Sequence, residues 1–263
     1  RQINVVATDF GDATDTFDLD DIGHSEQGWA NYVRGMIDAL QSAGFALQGA
    51  DLAIAGNIPK GAGLSSSASL EVAVGQAMLF LAVTYIYRTH LARIAQAAEC
   101  DFVGTKCGIM DQLISAQGKA GHALLIDCRT LGLTDAPIPD DLAIMIVHSG
   151  ITRGLVDGHY NERRRECEAA ASAMGVAALR DADMEMLIAA TLDPVTHSRA
   201  RHVISENLRT IEAASALGKG DLARLGTLMA ESHQSMRDDF AITVPAIDRI
   251  VDILQDAIGT HGG

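Results

Sequence analysis

Residues 59–71, PKGAGLSSSASLE, constrain this chain more than any other stretch. They follow a strand-like run, DLAIAGN, in which Leu52 and Ile54 share one side. They lead into an apolar helix pattern that starts near Ser66 and runs into the eighties. Gly61 and Gly63 allow a left-handed backbone and close approach of another group. The helix behind them offers unpaired N–H groups and the positive end of its dipole. Ser65, Ser66 and Ser67 add hydroxyls, which can donate to an oxyanion or ligate a hard cation. Together these features make a phosphate cradle. The segment is not a Walker A loop, because Ala62 follows Gly61 where that motif has Lys. Nor is it a dinucleotide fingerprint: GAGLSS lacks the third glycine and falls too late to open a first βαβ unit. The plain alternative is a serine-rich turn that caps a helix. The long helix that follows favours the cradle, since ordinary serine-rich linkers do not lead into one.

The rest of the first half reads as mixed α/β. Residues 3–8 and 16–19 are strand-like runs around the turn-rich FGDATD. From Gln27 the period becomes helical, with Trp29, Val33, Met36, Ile37 and Leu40 in register and Gly44 as a stop. A further helix is predicted over 91–102, then a glycine-rich bend, VGTKCG, and a short helix from Met110. Two strands are predicted next, HALLIDC and LAIMIVHS. Beyond residue 150 helical patterns dominate, over 159–174, 205–217 and 221–239, with a last helix opening at Pro245, where a missing N–H costs nothing. The expected division is therefore 1–150 and 151–263.

Charge and cysteine usage remove several function classes. Twenty basic against thirty-four acidic residues give a net charge of −14, which disfavours nucleic acid or an anionic membrane as partner. It does not disfavour a phosphorylated ligand, because a few oriented N–H groups and a metal ion can hold one locally. Cys100, Cys107, Cys128 and Cys167 form no CxxC pair, so a zinc site or redox dithiol is not indicated and reduced thiols are expected. The most apolar stretch, 72–87, is shorter than a membrane span, and the amino-terminal segment carries no signal-peptide pattern. A cytoplasmic location is the expectation.

Several segments, in order along the chain, carry a resemblance: WANYVRG from Trp29, PKGAGLSSSASLE from Pro59, CGIMDQLIS from Cys107, HALLIDCR from His122, YNERRRECE from Tyr160 and SHQSMRDDF from Ser232. They closely resemble the galactokinase form of the GHMP small-molecule kinases, over essentially the whole chain. The resemblance implies an α/β (α+β) fold of two domains. The first is an ATP-binding α/β domain like domain 2 of ribosomal protein S5; the second is helix-rich and ferredoxin-like. It implies ATP and Mg2+ as cofactors, a small sugar as substrate and a monomer, with transfer of the γ-phosphoryl group to the anomeric hydroxyl of galactose.

The site residues follow in the same way. Gly61, Ala62, Gly63, Leu64, Ser65, Ser66 and Ser67 match the ATP-binding signature, and Trp29 borders the adenine pocket or is a helix-face core residue. Asp111 opens a predicted helix, where a carboxylate stays ionised and can accept a proton, or simply caps. By resemblance it is the catalytic base. Glu99 reads alone as a solvated helix carboxylate; by resemblance it is the magnesium ligand, working with Ser66. Gly108 and Tyr160 match sugar contacts, Tyr160 being otherwise a helix-start aromatic. Arg163, Arg164 and Arg165 could form a phosphate clamp but read better as a solvated helix face, and no role is assigned to them.

The chain also departs from the family. Galactokinases open with a motif resembling RVNLIGEHTDY and carry a late motif resembling GGVRMTGGGFGGC; the first has no match here, and the second is met only by the final Gly-Gly. The expectation is an internal fragment, both domains incomplete, with little or no activity as it stands. Residues 82–90, AVTYIYRTH, replace a helix end and a Leu-Pro turn of the family, and their β-branched and aromatic residues make a poor turn. Two alternatives to galactokinase stay open. One is a 1-kinase for N-acetylgalactosamine or another sugar. The other is a non-catalytic sensor derived from the kinase, against which the retained Ser67-Ala68 pair and Asp111 argue.

Overall fold

A computed structural model describes residues 1–59, 63–150 and 157–259, with side chains described from 162 onward in the last segment. Two compact units result: residues 1–120 with 126–133, and residues 121–125 with 134–263. The passage between units thus falls at a hairpin, ahead of the change in sequence texture near Gly150.

The first unit is built on a three-stranded sheet. β1 (Gln2–Ala7) pairs antiparallel with β2 (Ala13–Asp18), and parallel with β3 (Ala50–Ile54), giving the order β2-β1-β3. α1 (Ala30–Ser42) lies in the crossover between β1 and β3. Alternation sets the faces. Ile3, Val5 and Phe17 point into the core, while Asn4 bridges Asp51 and Thr16 on the exposed face at 2.7 and 3.2 Å. One polar residue of β2 breaks the pattern: Asp15 is buried. It is matched by Arg34 of α1, whose guanidinium binds both its oxygens at 2.8 and 2.9 Å and lies 4.7 Å over the Phe17 ring.

Four helical elements cover the sheet or one another: α1, α2 (Ser66–Leu81), α3 (Arg88–Ala97) and α4 (Met110–Gln117). Their buried residues, Met36, Ile37, Leu40, Met78, Leu79, Leu91 and Leu113, form one core with the sheet. Gly75 has a packing reason to be glycine: a Cβ there would run into the ends of Met36 and Leu91. α3 does not stop at Ala97 but widens into a π-helical turn, Ala98–Val103, ended by Gly104 at φ 89°. The odd run before α3 forms no regular element, and Val83, Tyr85 and Tyr87 are almost fully exposed.

β4 (His122–Ile126) and β5 (Leu133–Pro137) form a two-stranded ladder. The second unit continues with α5 (Asp157–Ala173), α6 (Met184–Ala189), α7 (Pro194–Lys219), α8 (Leu222–Ser235), a second π-helical turn, Met236–Phe240, and α9 (Pro245–Ile258). Ala170, Leu179, Leu187, Ala200 and Ile204 make its core. The whole is mixed α/β and rich in helix, and among the described residues no helix is long and apolar enough to cross a membrane.

Two sequence expectations need correction. The run LAIMIVHS is not a strand: among the described residues no strand pairs with it, and Ile144, Met145 and Ile146 are well exposed. Composition favours β structure there, but a strand also needs a neighbour for its N–H and C=O groups. Arg163 is not on a solvated face either. It is buried, donates through Nε to the Phe240 carbonyl at 2.7 Å and binds Glu166 at 2.9 Å. Arg164 is exposed and pairs with Glu168 one turn on.

Candidate active site

The glycine–serine bend has a left-handed backbone at Gly63, as its glycine allows, and also at Ser65. Gly63 has φ 73° and Ser65, the residue before α2, has φ 56°. A left-handed backbone at a serine costs about 1 kcal/mol, so the surrounding structure must impose it. Ser65 makes no side-chain cap, and its carbonyl accepts the N–H of Ser69 at 3.0 Å as the first helical bond. The first turn of α2 is therefore left without the usual side-chain acceptor, the arrangement that suits an external anion. Gly61 and Ala62 lie outside the described residues.

In front of this turn lies a cavity of about 390 Å³, bordered by Ser66, Ser67, Ile58, Tyr32, Trp29 and Phe10 among others. Trp29 and Phe10 stack with centroids 5.9 Å apart, and the Trp29 Nε1–H donates to Gln27. The cavity is thus bordered both by an aromatic pair and by the start of a helix that brings Ser66, Ser67 and Ser69. That pairing suits a planar base joined to phosphates.

Behind the serines is a buried acidic centre. Glu99, on the first π-helical turn, is 7% exposed. Its Oε1 accepts from Ser67 Oγ at 3.1 Å, and its Oε2 accepts from Gln112 Nε2 at 2.6 Å and from Cys107 Sγ at 3.6 Å. Glu99 is thus no solvated helix carboxylate. The serine that touches it is Ser67; Ser66 borders the same cavity. Glu71, fully buried on α2, faces the same amide, with Gln112 Nε2 3.5 Å from its Oε2.

The electrostatics show an excess of negative charge. Burial, reinforced by the charge of Glu99, pushes the Glu71 carboxyl up to about 9. The same two causes push the Cys107 thiol up to about 12 and raise the Tyr32 phenol. Glu71 Oε1 and Gln112 Oε1 are buried and have no hydrogen-bond partner among the described residues. A buried carboxylate beside a hydroxyl, with no cation among its described partners, is a donor set that fits Mg2+, which takes few protein oxygens and completes its shell elsewhere.

Asp111 lies in the first turn of α4, half-buried, directly before Gln112. The link Ser67–Glu99–Gln112 therefore ties the start of α2 to the start of the helix that carries Asp111. Gly108, just upstream, is exposed, and a Cβ there would meet nothing within 4 Å, so no packing among the described atoms demands glycine. Tyr160 belongs to α5 in the other unit, and its side chain lies outside the described residues.

Sequence reasoning passed over Gln112, Glu71, Tyr32 and Phe10. Gln112 and Glu71 are in the quoted motifs CGIMDQ and SASLE, and Tyr32 falls one helical turn after Trp29. Those signals were available but say nothing of burial.

Residues 31–119 match the family described as GHMP kinases N terminal domain. Among solved structures, the chain is similar to Lactococcus lactis galactokinase complexed with galactose, at 32% identity and a TM-score of 0.87, covering 97% of this chain and 69% of that one. Two more distant similarities concern the fold alone. A D-glycero-D-manno-heptose 1-phosphate kinase from Bacteroides thetaiotaomicron matches at 14% identity and TM-score 0.52, over 90% of this chain and 63% of that one. A mevalonate kinase matches at 15% and 0.50, over 96% and 70%.

Proposed function

The chain belongs to the GHMP kinases, in their galactokinase branch, and from that premise we propose that it carries the site by which ATP, with Mg2+, phosphorylates the anomeric hydroxyl of galactose to galactose 1-phosphate. The observation that carries the reading is the hydrogen-bonded link from Ser67 through Glu99 to Gln112, which joins the helix N-terminus to the residue beside Asp111.

Each residue then has a task. The N–H groups and hydroxyls at 61–67 hold the phosphate tail, and Trp29 borders the base. Glu99, with Ser67 or Ser66, holds the metal; when bound, Mg2+ neutralises charge on the phosphate oxygens. Asp111 takes the proton of the attacking sugar hydroxyl. Phosphoryl transfer asks mainly for positioning and charge neutralisation, so a rigid link between the loop and the base is the main requirement. Gly108 and Tyr160 are assigned to the sugar by family resemblance.

Galactose is the sugar bound in the Lactococcus structure, and that supports it as the substrate here. Titration calorimetry of the protein with ATP, Mg2+ and each sugar tests the reading. Galactose is expected to bind in preference to N-acetylgalactosamine. The reverse preference would change the substrate, and no binding of ATP at all would overturn the kinase site.

A further inference from the structure

We propose that Gln112 is a positioning residue, whose buried amide fixes the orientation of the Glu99 carboxylate and ties it to the helix that bears Asp111. The proposal rests on the reading of Glu99 as the metal-holding carboxylate.

Gln112 is fully buried, yet its side chain is polar. α4 does not need it for anchorage, because Leu113 and Ala116 already pack the helix into the core. What the amide contributes is direction. Nε2 donates to Glu99 Oε2 at 2.6 Å and faces Glu71 Oε2 at 3.5 Å. Rotating the amide by half a turn would set its oxygen against the Glu99 carboxylate, so the donor is held toward it. With Oε2 held by Gln112 and Oε1 beside Ser67, the Glu99 carboxylate has one orientation. Partners that orient a metal-binding carboxylate in this way tune affinity without touching the ion. Because Gln112 follows Asp111 directly, the same bond fixes the spacing between metal carboxylate and base.

The test measures ATP binding by calorimetry with Mg2+ and with EDTA, alongside thermal unfolding. In Gln112→Met, which keeps volume and removes the donor, the Mg2+-dependent gain in ATP affinity is expected to fall by about tenfold to a hundredfold, with affinity in EDTA unchanged. Gln112→Leu, which also removes the donor but fills the space with a differently shaped apolar side chain, is expected to show the same selective loss and guards against a packing effect peculiar to Met. Equal losses with and without Mg2+, or no loss in either variant, would overturn the proposal. Glu99→Gln separates the two levels. If it abolishes the Mg2+-dependent gain while both Gln112 variants keep it, the positioning role alone fails. If Glu99→Gln keeps the gain, the metal reading fails and the proposal falls with it.

Discussion

Two π-helical turns in this chain each bury a carboxylate, and they treat it in opposite ways. Asp239, on the second turn, is 8% exposed. Its side chain meets Arg201 and accepts from Ser235 Oγ at 3.0 Å, while its carbonyl accepts from Arg199. Arg199 and Arg163 also share Glu166, at 3.0 and 2.9 Å. Each carboxylate there has an arginine partner, and the cluster locks α5, α7 and the turn together. Glu99, on the first turn, has as described partners a hydroxyl, an amide and a thiol, with a second buried carboxyl close by. An unbalanced buried charge is destabilising and persists where something outside the chain completes it. The contrast separates a structural polar cluster from one arranged for a ligand.

The contrast can be broken most forcefully at Arg199. Arg199→Met leaves buried acceptors unpaired and should cost about 3 kcal/mol in chemical unfolding. Glu99→Gln in EDTA should instead hold stability or raise it, because it relieves like charge. A comparable loss in both would erase the distinction.

A second difference lies in pH dependence. The Glu71 carboxyl is raised from 4.5 to about 9, so between those values the folded state keeps a proton that the unfolded state has lost. Stability contributed by this group is fully present below pH 4.5 and is lost as pH rises toward 9. Without divalent metal the expected slope is on the order of 1 kcal/mol per pH unit, and Glu71→Gln should flatten it. An identical pH profile in that variant would contradict the assignment.

The smallest effect belongs to Arg164, whose exposed pair with Glu168 is screened by water. Arg164→Ala should change stability by less than about 0.5 kcal/mol, although the neighbouring Arg163 is buried.

Much of the first unit was legible in the sequence. The helical period from Trp29 became α1, and the glycine–serine bend leads into a sixteen-residue helix, although the left-handed backbone at Ser65 had no sequence signal. What escaped depends on neighbours distant in sequence. LAIMIVHS has strand composition but no pairing edge among the described residues. LTDAP forms β5 with little apolar signal, because a ladder needs only a partner. The first part of α7 is polar enough to hide its period, yet Asp193 caps it through the Val195 and Thr196 N–H groups and Pro194 suits its first turn. At the site, motif resemblance singled out Glu99 and Asp111, but Gln112 emerges only when burial and hydrogen bonding are known.

The central claim is that the start of α2, Glu99 and Asp111 serve one phosphoryl transfer. Asp111→Ala, introduced into the complete protein and assayed for galactose phosphorylation and for ATP binding in the same preparation, tests it most directly. ATP affinity is expected to be unchanged while turnover drops by about a hundredfold to ten-thousandfold. Turnover equal to that of the unsubstituted protein would contradict the account.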